Sequence, residues 1–204
     1  MRCCYAFGAG ELFFCPPLPS EGDLVIAADG GYRHLADLGI KPDLVIGDFD
    51  SSICPGQGDW ELVVLPAEKD QTDMAAAVQI GYDRGYRLFR LFGGTGGRVD
   101  HTAANVQLLA WLARRNARGF LHFQNQVAFA LKDGEICFDA SQKGYISVFA
   151  YSGDAVGVTL EGLKYPLDNY TLHDDVSLGV SNEFTGKPSR ISVRKGLVMI
   201  VKEK

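Results

Sequence analysis

Short apolar, β-rich runs, each followed closely by Gly or Asp, recur through the first part of the chain: Cys3 to Phe7, Leu24 to Ala28, Leu44 to Ile46, Leu62 to Leu65 and Leu88 to Phe92. Each is nearly continuous rather than alternating, which suits a strand buried on both faces. Helix-period segments lie between several of them: Tyr32 to Leu38, Asp73 to Arg84, and Asp100 to Arg115 with apolar Ala104, Leu108, Trp111 and Leu112. This alternation predicts a parallel sheet covered by helices. After about Leu131 the helical period gives way to strand-like runs: Glu135 to Phe138, Tyr145 to Ala150, Ala155 to Leu160, Val176 to Val180, Arg190 to Val193 and Leu197 to Val201. Turn residues part them, among them Lys132-Asp133-Gly134, Ser152-Gly153-Asp154 and Lys195-Gly196. The predicted fold is α/β, with an N-terminal parallel-sheet, Rossmann-like domain over residues 1–130 and a small all-β sandwich domain over residues 131–204.

A chain of 204 residues, 47% hydrophobic and 22% charged, can bury a sizeable core and is not disordered. At roughly 150 residues per domain it holds one or two domains. Its net charge of -5 argues against affinity built on nucleic-acid phosphates. The cysteines Cys3, Cys4, Cys15, Cys54 and Cys137 are odd in number and contain no C-x-x-C pair, so free thiols in a reducing compartment are expected. Glu11 and the Pro16-Pro17-Leu18-Pro19 stretch interrupt any signal-peptide core, and no apolar run approaches the roughly 20 residues that span a bilayer. The expectation is a soluble cytoplasmic protein with neither nucleic acid nor membrane as a partner.

In open α/β sheets, ligands bind beyond the carboxyl ends of the strands. The residues there form a pattern. Leu24 to Ala28 is followed by Asp29-Gly30-Gly31, Leu44 to Ile46 by Gly47-Asp48-Phe49-Asp50-Ser51, Leu62 to Leu65 by Pro66 to Asp73, and Leu88 to Phe92 by Gly93 to His101. Converging carboxylates would repel one another unless a divalent cation neutralises them. Magnesium suits Asp48-x-Asp50, because it takes one or two carboxylates together with water and substrate phosphates. One Asp after a strand is ordinarily a cap or turn former, but capping needs neither an Asp-x-Asp pair nor repetition over Asp29, Asp48, Asp50, Asp73 and Asp100. The string Gly93-Gly94-Thr95-Gly96-Gly97-Arg98 opens a predicted helix, so its N–H groups can approach phosphate oxygens while Arg98 adds a bidentate charge. It is neither a Walker A loop nor a G-x-G-x-x-G fingerprint.

The full string Gly93-Gly94-x-Gly96-Gly97-Arg98-x-Asp100-His101-x-x-x-Asn105 resembles the thiamine pyrophosphokinase (thiamine diphosphokinase) family. So do Ala28-Asp29-Gly30-Gly31, Gly47-Asp48-Phe49-Asp50-Ser51 and Lys69-Asp70-Gln71-Thr72-Asp73, in matching order and spacing. In the second part, Gly162-Leu163-Lys164-Tyr165-Pro166-Leu167 and Val180-Ser181-Asn182-Glu183 look like signatures of that family's β domain. The resemblance implies transfer of a pyrophosphoryl group from ATP to the hydroxyethyl arm of thiamine, with magnesium, giving thiamine diphosphate and AMP. It implies magnesium on Asp48, Asp50 and Asp73, with Asp29 and Asp100 as neighbouring ligands or water holders. Lys69 and Arg98 would contact phosphate, and Asn105 would be a polar contact at the same helix start. Either Asp100 or Asp73 could accept the hydroxyl proton. His101 is either a base or a brace of the helix entry, and Gln71 and Thr72 belong to the substrate loop, where the alternative role of Thr72 is to cap the helix at Asp73. The resemblance further implies a homodimer whose site is shared between subunits, with Ser181 and Asn182 hydrogen-bonding thiamine and Tyr165 offering an aromatic face. Two rivals stand beside it: a magnesium-dependent phosphohydrolase, which Asp48-x-Asp50-Ser51 also resembles, and a non-catalytic nucleotide or vitamin sensor on the same fold.

Overall fold

The computed structural model describes residues 2–49, 58–66, 68 and 70–204. The chain divides into two compact units, Met1–Gln124 and Asn125–Lys204. The division thus falls before the 130/131 boundary expected from the sequence, because the first strand of the second unit already begins at Gln126.

The first unit is a parallel sheet. Its strands are β1 (Cys4–Phe7), β2 (Leu24–Ala28), β3 (Leu44–Gly47), β4 (Glu61–Val64), β5 (Leu88–Phe92) and β6 (Arg118–His122), in the spatial order β6-β5-β1-β2-β3-β4. The helices are α1 (Gly31–Asp37), α2 (Asp73–Asp83) and α3 (Val99–Ala113). β1, β2 and β3 are buried along their whole length, which is why their sequences are unbroken apolar runs. β4 departs from the expectation of burial on both faces: it is an edge strand, with Leu62 and Val64 exposed. β6 gave no usable sequence signal. Gly119 sits where a Cβ would lie 2.5 Å from Leu112 Cδ1, so close packing of β6 under α3 replaces the side chain that would have marked a strand.

The order places a switch point between β1 and β5. From β1 the sheet grows through β2, β3 and β4 in one direction, and β5 and β6 add on the other side, so the connections leaving β1 and β5 diverge and leave a crevice. Phe7 and Phe92 are register partners at the ends of these strands and stack with centroids 5.1 Å apart. Both are fully buried, in a core with Tyr5, Val25, Ala27, Leu35 and Val45. The loops leaving the two strands therefore start from fixed points.

The second unit is antiparallel: β7 (Gln126–Phe138), β8 (Tyr145–Ala150), β9 (Ala155–Glu161), β10 (Leu167–Leu172), β11 (Asn182–Glu183) and β12 (Ser189–Glu203). β12 pairs with β7 along its length; its first part also pairs with β9, and its second part with β8. The segments Lys132-Asp133-Gly134 and Lys195-Gly196 are not turns between strands. They face each other inside β7 and β12, where the register shifts and Gly196 N donates to Asp133 Oδ1 at 2.8 Å in place of a ladder bond. Val176 to Val180 is likewise not a strand: Val148 N donates to Gly179 O at 2.9 Å, and the chain turns at Ser181, with φ +60°, into β11. The alternation of Val176, Leu178 and Val180 leaves their side chains exposed instead.

Candidate active site

A cavity of about 640 Å³ opens at the carboxyl ends of β1, β2 and β5, against the N-terminal turns of α2 and α3. Two loops form its floor by joining beyond the sheet. Gly8 N donates to Phe92 O at 2.8 Å, Gly10 N to Gly93 O at 2.8 Å and Glu11 N to Thr95 O at 2.9 Å. Such an approach tolerates no side chain: a Cβ on Gly10 would lie 2.4 Å from Thr95 O and 2.7 Å from Gly93 O. His34, on α1, lines the cavity and donates through Nε2 to Gly10 O at 2.7 Å, tying the same loop to a helix.

The remaining wall comes from helix starts. Thr72, extended at φ -72° and ψ 158°, caps α2 by accepting from Ala75 N at 3.2 Å, so Asp73 begins the helix at the cavity edge. Asn105 is 5% exposed on α3, and its Nδ2 donates to Gly94 O at 2.7 Å, bracing the glycine loop from behind. Arg98 precedes α3 and pairs with Asp100, Nη2 to Oδ2 at 2.6 Å and Nε to Oδ1 at 3.2 Å. That guanidinium, with a further bond from His101 N at 3.0 Å, lowers the Asp100 carboxyl to about 2. Asp29 sits at the end of β2 with φ +49°, and Phe49 after β3 with φ +54°. A positive φ is tolerated at Asp but strained at a bulky Phe, and strain of this kind gathers at ligand sites.

The cavity thus gathers Asp29, Thr72, Asp73, Arg98, His101 and Asn105 from the residues anticipated in the sequence. Asp48 is half-buried after β3 and does not line it; Gln71 and Asp100 are exposed outside its lining. Asp50 and Lys69 lie outside the described residues. Tyr165, Ser181 and Asn182 belong to the second unit, where Tyr165 is 57% exposed and Ser181 has φ +60°. The Asn182 side chain is buried and bonded to backbone rather than open to a ligand. Sequence reasoning missed His34 and Met74, which line the cavity without belonging to any charged cluster. Only the position of His34 one turn after Gly30-Gly31 could have drawn attention to it.

A mixed α/β chain whose glycine loops and carboxylates meet at a sheet switch point belongs to the class of proteins that hold a ligand at the carboxyl edge of a parallel sheet. Residues 16–121 match the family described as thiamin pyrophosphokinase, catalytic domain, and residues 134–198 match thiamin pyrophosphokinase, vitamin B1 binding domain. The chain belongs to the thiamin pyrophosphokinase family. It is 34% identical over 189 residues to a thiamine pyrophosphokinase of Bacillus subtilis, covering 89% of this chain and 88% of the relative. A crystal structure of thiamine pyrophosphokinase from Bacillus subtilis superposes with TM-score 0.88 at 29% identity, covering 100% of this chain and 99% of that one. One from Geobacillus thermodenitrificans gives 0.82 at 30% identity, covering 100% and 98%.

Proposed function

We infer that this chain is a thiamine pyrophosphokinase, moving the terminal pyrophosphoryl group of ATP to the hydroxyl of thiamine and releasing AMP. The observation that carries the reading is the switch-point cavity lying in the region that matches the catalytic domain, with Asp29, Asp73 and Arg98 on its wall. ATP lies with its phosphates against the Gly93 to Gly97 loop, where backbone N–H groups and Arg98 meet the charge that develops on the transferred and departing oxygens. The thiamine oxygen attacks the β-phosphorus, the bond from that phosphorus to the α-side bridging oxygen breaks, and the hydroxyl proton passes to a carboxylate. Asp73 and Asp100 are the two carboxylates that could take it, Asp100 being held by Arg98.

The carboxylates suit magnesium, which needs few protein oxygens when phosphates supply the rest. Asp48, Asp50 and Asp73 would hold it, with Asp29 as a further ligand or water holder. When bound, it neutralises charge on the phosphate oxygens. Of that set Asp73 lines the cavity, as does Asp29, while Asp48 stands outside its lining and Asp50 outside the described residues.

In the second unit Tyr165 gives thiamine a ring face, with Ser181 nearby in sequence to Asn182 as a polar contact. The pairing of β12 with β9 at one end and β8 at the other supports a sandwich folded about the irregularity at Asp133 and Gly196, and the parallel strand order of the first unit supports a Rossmann-like domain. The exposed Val176, Leu178 and Val180 support a homodimer, and the free thiols Cys3, Cys4, Cys15 and Cys137 a cytoplasmic setting. Among the described residues no helix is long and apolar enough to cross a membrane.

The test is turnover of purified protein with ATP, magnesium and thiamine, following AMP and thiamine diphosphate. Equal amounts of both, requiring thiamine and metal, support the reading. Phosphate release without thiamine would replace it with a hydrolase, and binding without turnover with a sensor.

A further inference from the structure

Asn182, at the start of β11, is 2% exposed, and its amide is committed to the backbone of Tyr165. Oδ1 accepts from Tyr165 N at 2.9 Å and from Glu183 N at 2.9 Å, while Nδ2 donates to Tyr165 O at 2.8 Å. A side-chain amide offers two acceptor lone pairs and two N–H donors, so both lone pairs and one donor are used. The flanking residues reinforce the grip. Lys164 N donates to Glu183 O at 3.0 Å, Lys164 Nζ pairs with Glu183 Oε1 at 2.6 Å, and Leu163 forms a β-bridge with Phe184.

The consequence is a fixed backbone carrying an exposed aromatic side chain. Tyr165 has its N–H and its carbonyl held by one side chain, yet the residue is 57% exposed, with the Lys164 ammonium 5.4 Å from its ring centroid. A large exposed aromatic on an immobilised backbone loses little conformational freedom when a flat ligand docks on it. An unbound Asn side chain could reach a ligand directly. This one is 2% exposed, so its remaining N–H does not face solvent, and turning the amide outward would break the bonds to the Tyr165 backbone.

We propose that Asn182 is a positioning residue for thiamine, acting on the vitamin through Tyr165 by holding its backbone, rather than by touching the vitamin. The proposal rests on the reading of the second unit as the thiamine-binding part. It replaces the direct hydrogen bond expected for Asn182 from the sequence and leaves Ser181 as the polar contact of that pair.

A double-mutant cycle tests it. Wild type, Asn182→Ala, Asn182→Asp, Tyr165→Ala and the two doubles are compared for thiamine KM, ATP KM and kcat, with thermal melting to show that each variant is folded. Asn182→Asp keeps the acceptors but sets a buried carboxylate oxygen against Tyr165 O in place of the donor, and it carries the cycle if the alanine variant does not fold. Each single Asn182 variant is expected to raise thiamine KM about tenfold, the scale of one or two backbone hydrogen bonds, with ATP KM and kcat within about twofold. In the Tyr165→Ala background the same changes should add less than about twofold. An undiminished tenfold rise in that background would mean direct contact and overturn the proposal. So would parallel rises in both KM values, a lower melting temperature with thiamine KM unchanged, or a Tyr165→Ala variant with wild-type thiamine KM. Absence of thiamine-dependent turnover in the wild type would instead remove the functional reading, and this proposal with it.

Discussion

Arg98 and Asp100, two residues apart at the entry to α3, hold each other through paired hydrogen bonds, the shorter 2.6 Å from Nη2 to Oδ2. Both are exposed, so the pair orients the guanidinium at the cavity edge rather than stabilising the core. Because the bond favours the charged carboxylate, the folded-state pKa lies below the unfolded one. Its contribution is therefore complete above about pH 4 and is lost as the pH falls toward 2. In a carboxyl NMR titration of the metal-free protein, Asp100 should titrate near 2, and Arg98→Ala should return it toward the ordinary Asp range. An unchanged Asp100 in that variant would show that the pair is not formed in solution.

Arg98→Ala should also lower kcat with ATP and thiamine by about a hundredfold or more, the scale of losing one donor to developing phosphoryl charge. Steady-state kinetics check this, and a rise in ATP KM alone with normal kcat would reduce Arg98 to ground-state binding.

Asn105→Ala removes the one side-chain bond to Gly94 O from a buried position, and stability should fall by about 2 kcal/mol in urea unfolding. The glycine loop would lose its brace as well, so ATP KM should rise. Wild-type stability in this variant would mean that water replaces the amide.

Gly10→Ala drives a Cβ into Thr95 O and Gly93 O, and the two loops cannot keep their three cross-links without moving apart. A loss of about 2–3 kcal/mol and a collapse of ATP binding are expected. Gly39→Ala is the control. Its site has φ +64° but nothing within 4 Å, so it should cost only about 1 kcal/mol and leave activity intact.

Thr72→Ala removes the α2 cap and should cost about 1 kcal/mol, with Thr72→Ser retaining most of it. Equal stability of all three proteins would show the cap to be idle.

Burial governs how much of this was legible in the sequence. β1, β2, β3 and β5 are central strands, and the apolar runs that mark them follow directly from it. Thr72 and the Gly93 to Arg98 string marked the starts of α2 and α3 because capping and close approach are local requirements. The edges were harder. β10 carries Asp168 and Asn169, the latter at φ +44° with the register shifting around it, so it has no clean alternation to read. Val176, Leu178 and Val180 alternate without pairing, because alternation records one-sidedness and not a partner. In the site, the acidic positions stood out by chemistry. His34 and the inward grip of Asn182 did not, because both depend on backbone groups brought near by the fold: Gly10 O for one, Tyr165 N and O for the other.

The most direct test of the central claim is which phosphates move. With ATP labelled at the β-phosphorus, one-step pyrophosphoryl transfer places the label in thiamine diphosphate and leaves AMP unlabelled. Label retained in ADP, with thiamine monophosphate formed, would mean transfer of the γ-phosphoryl group alone and would contradict the account.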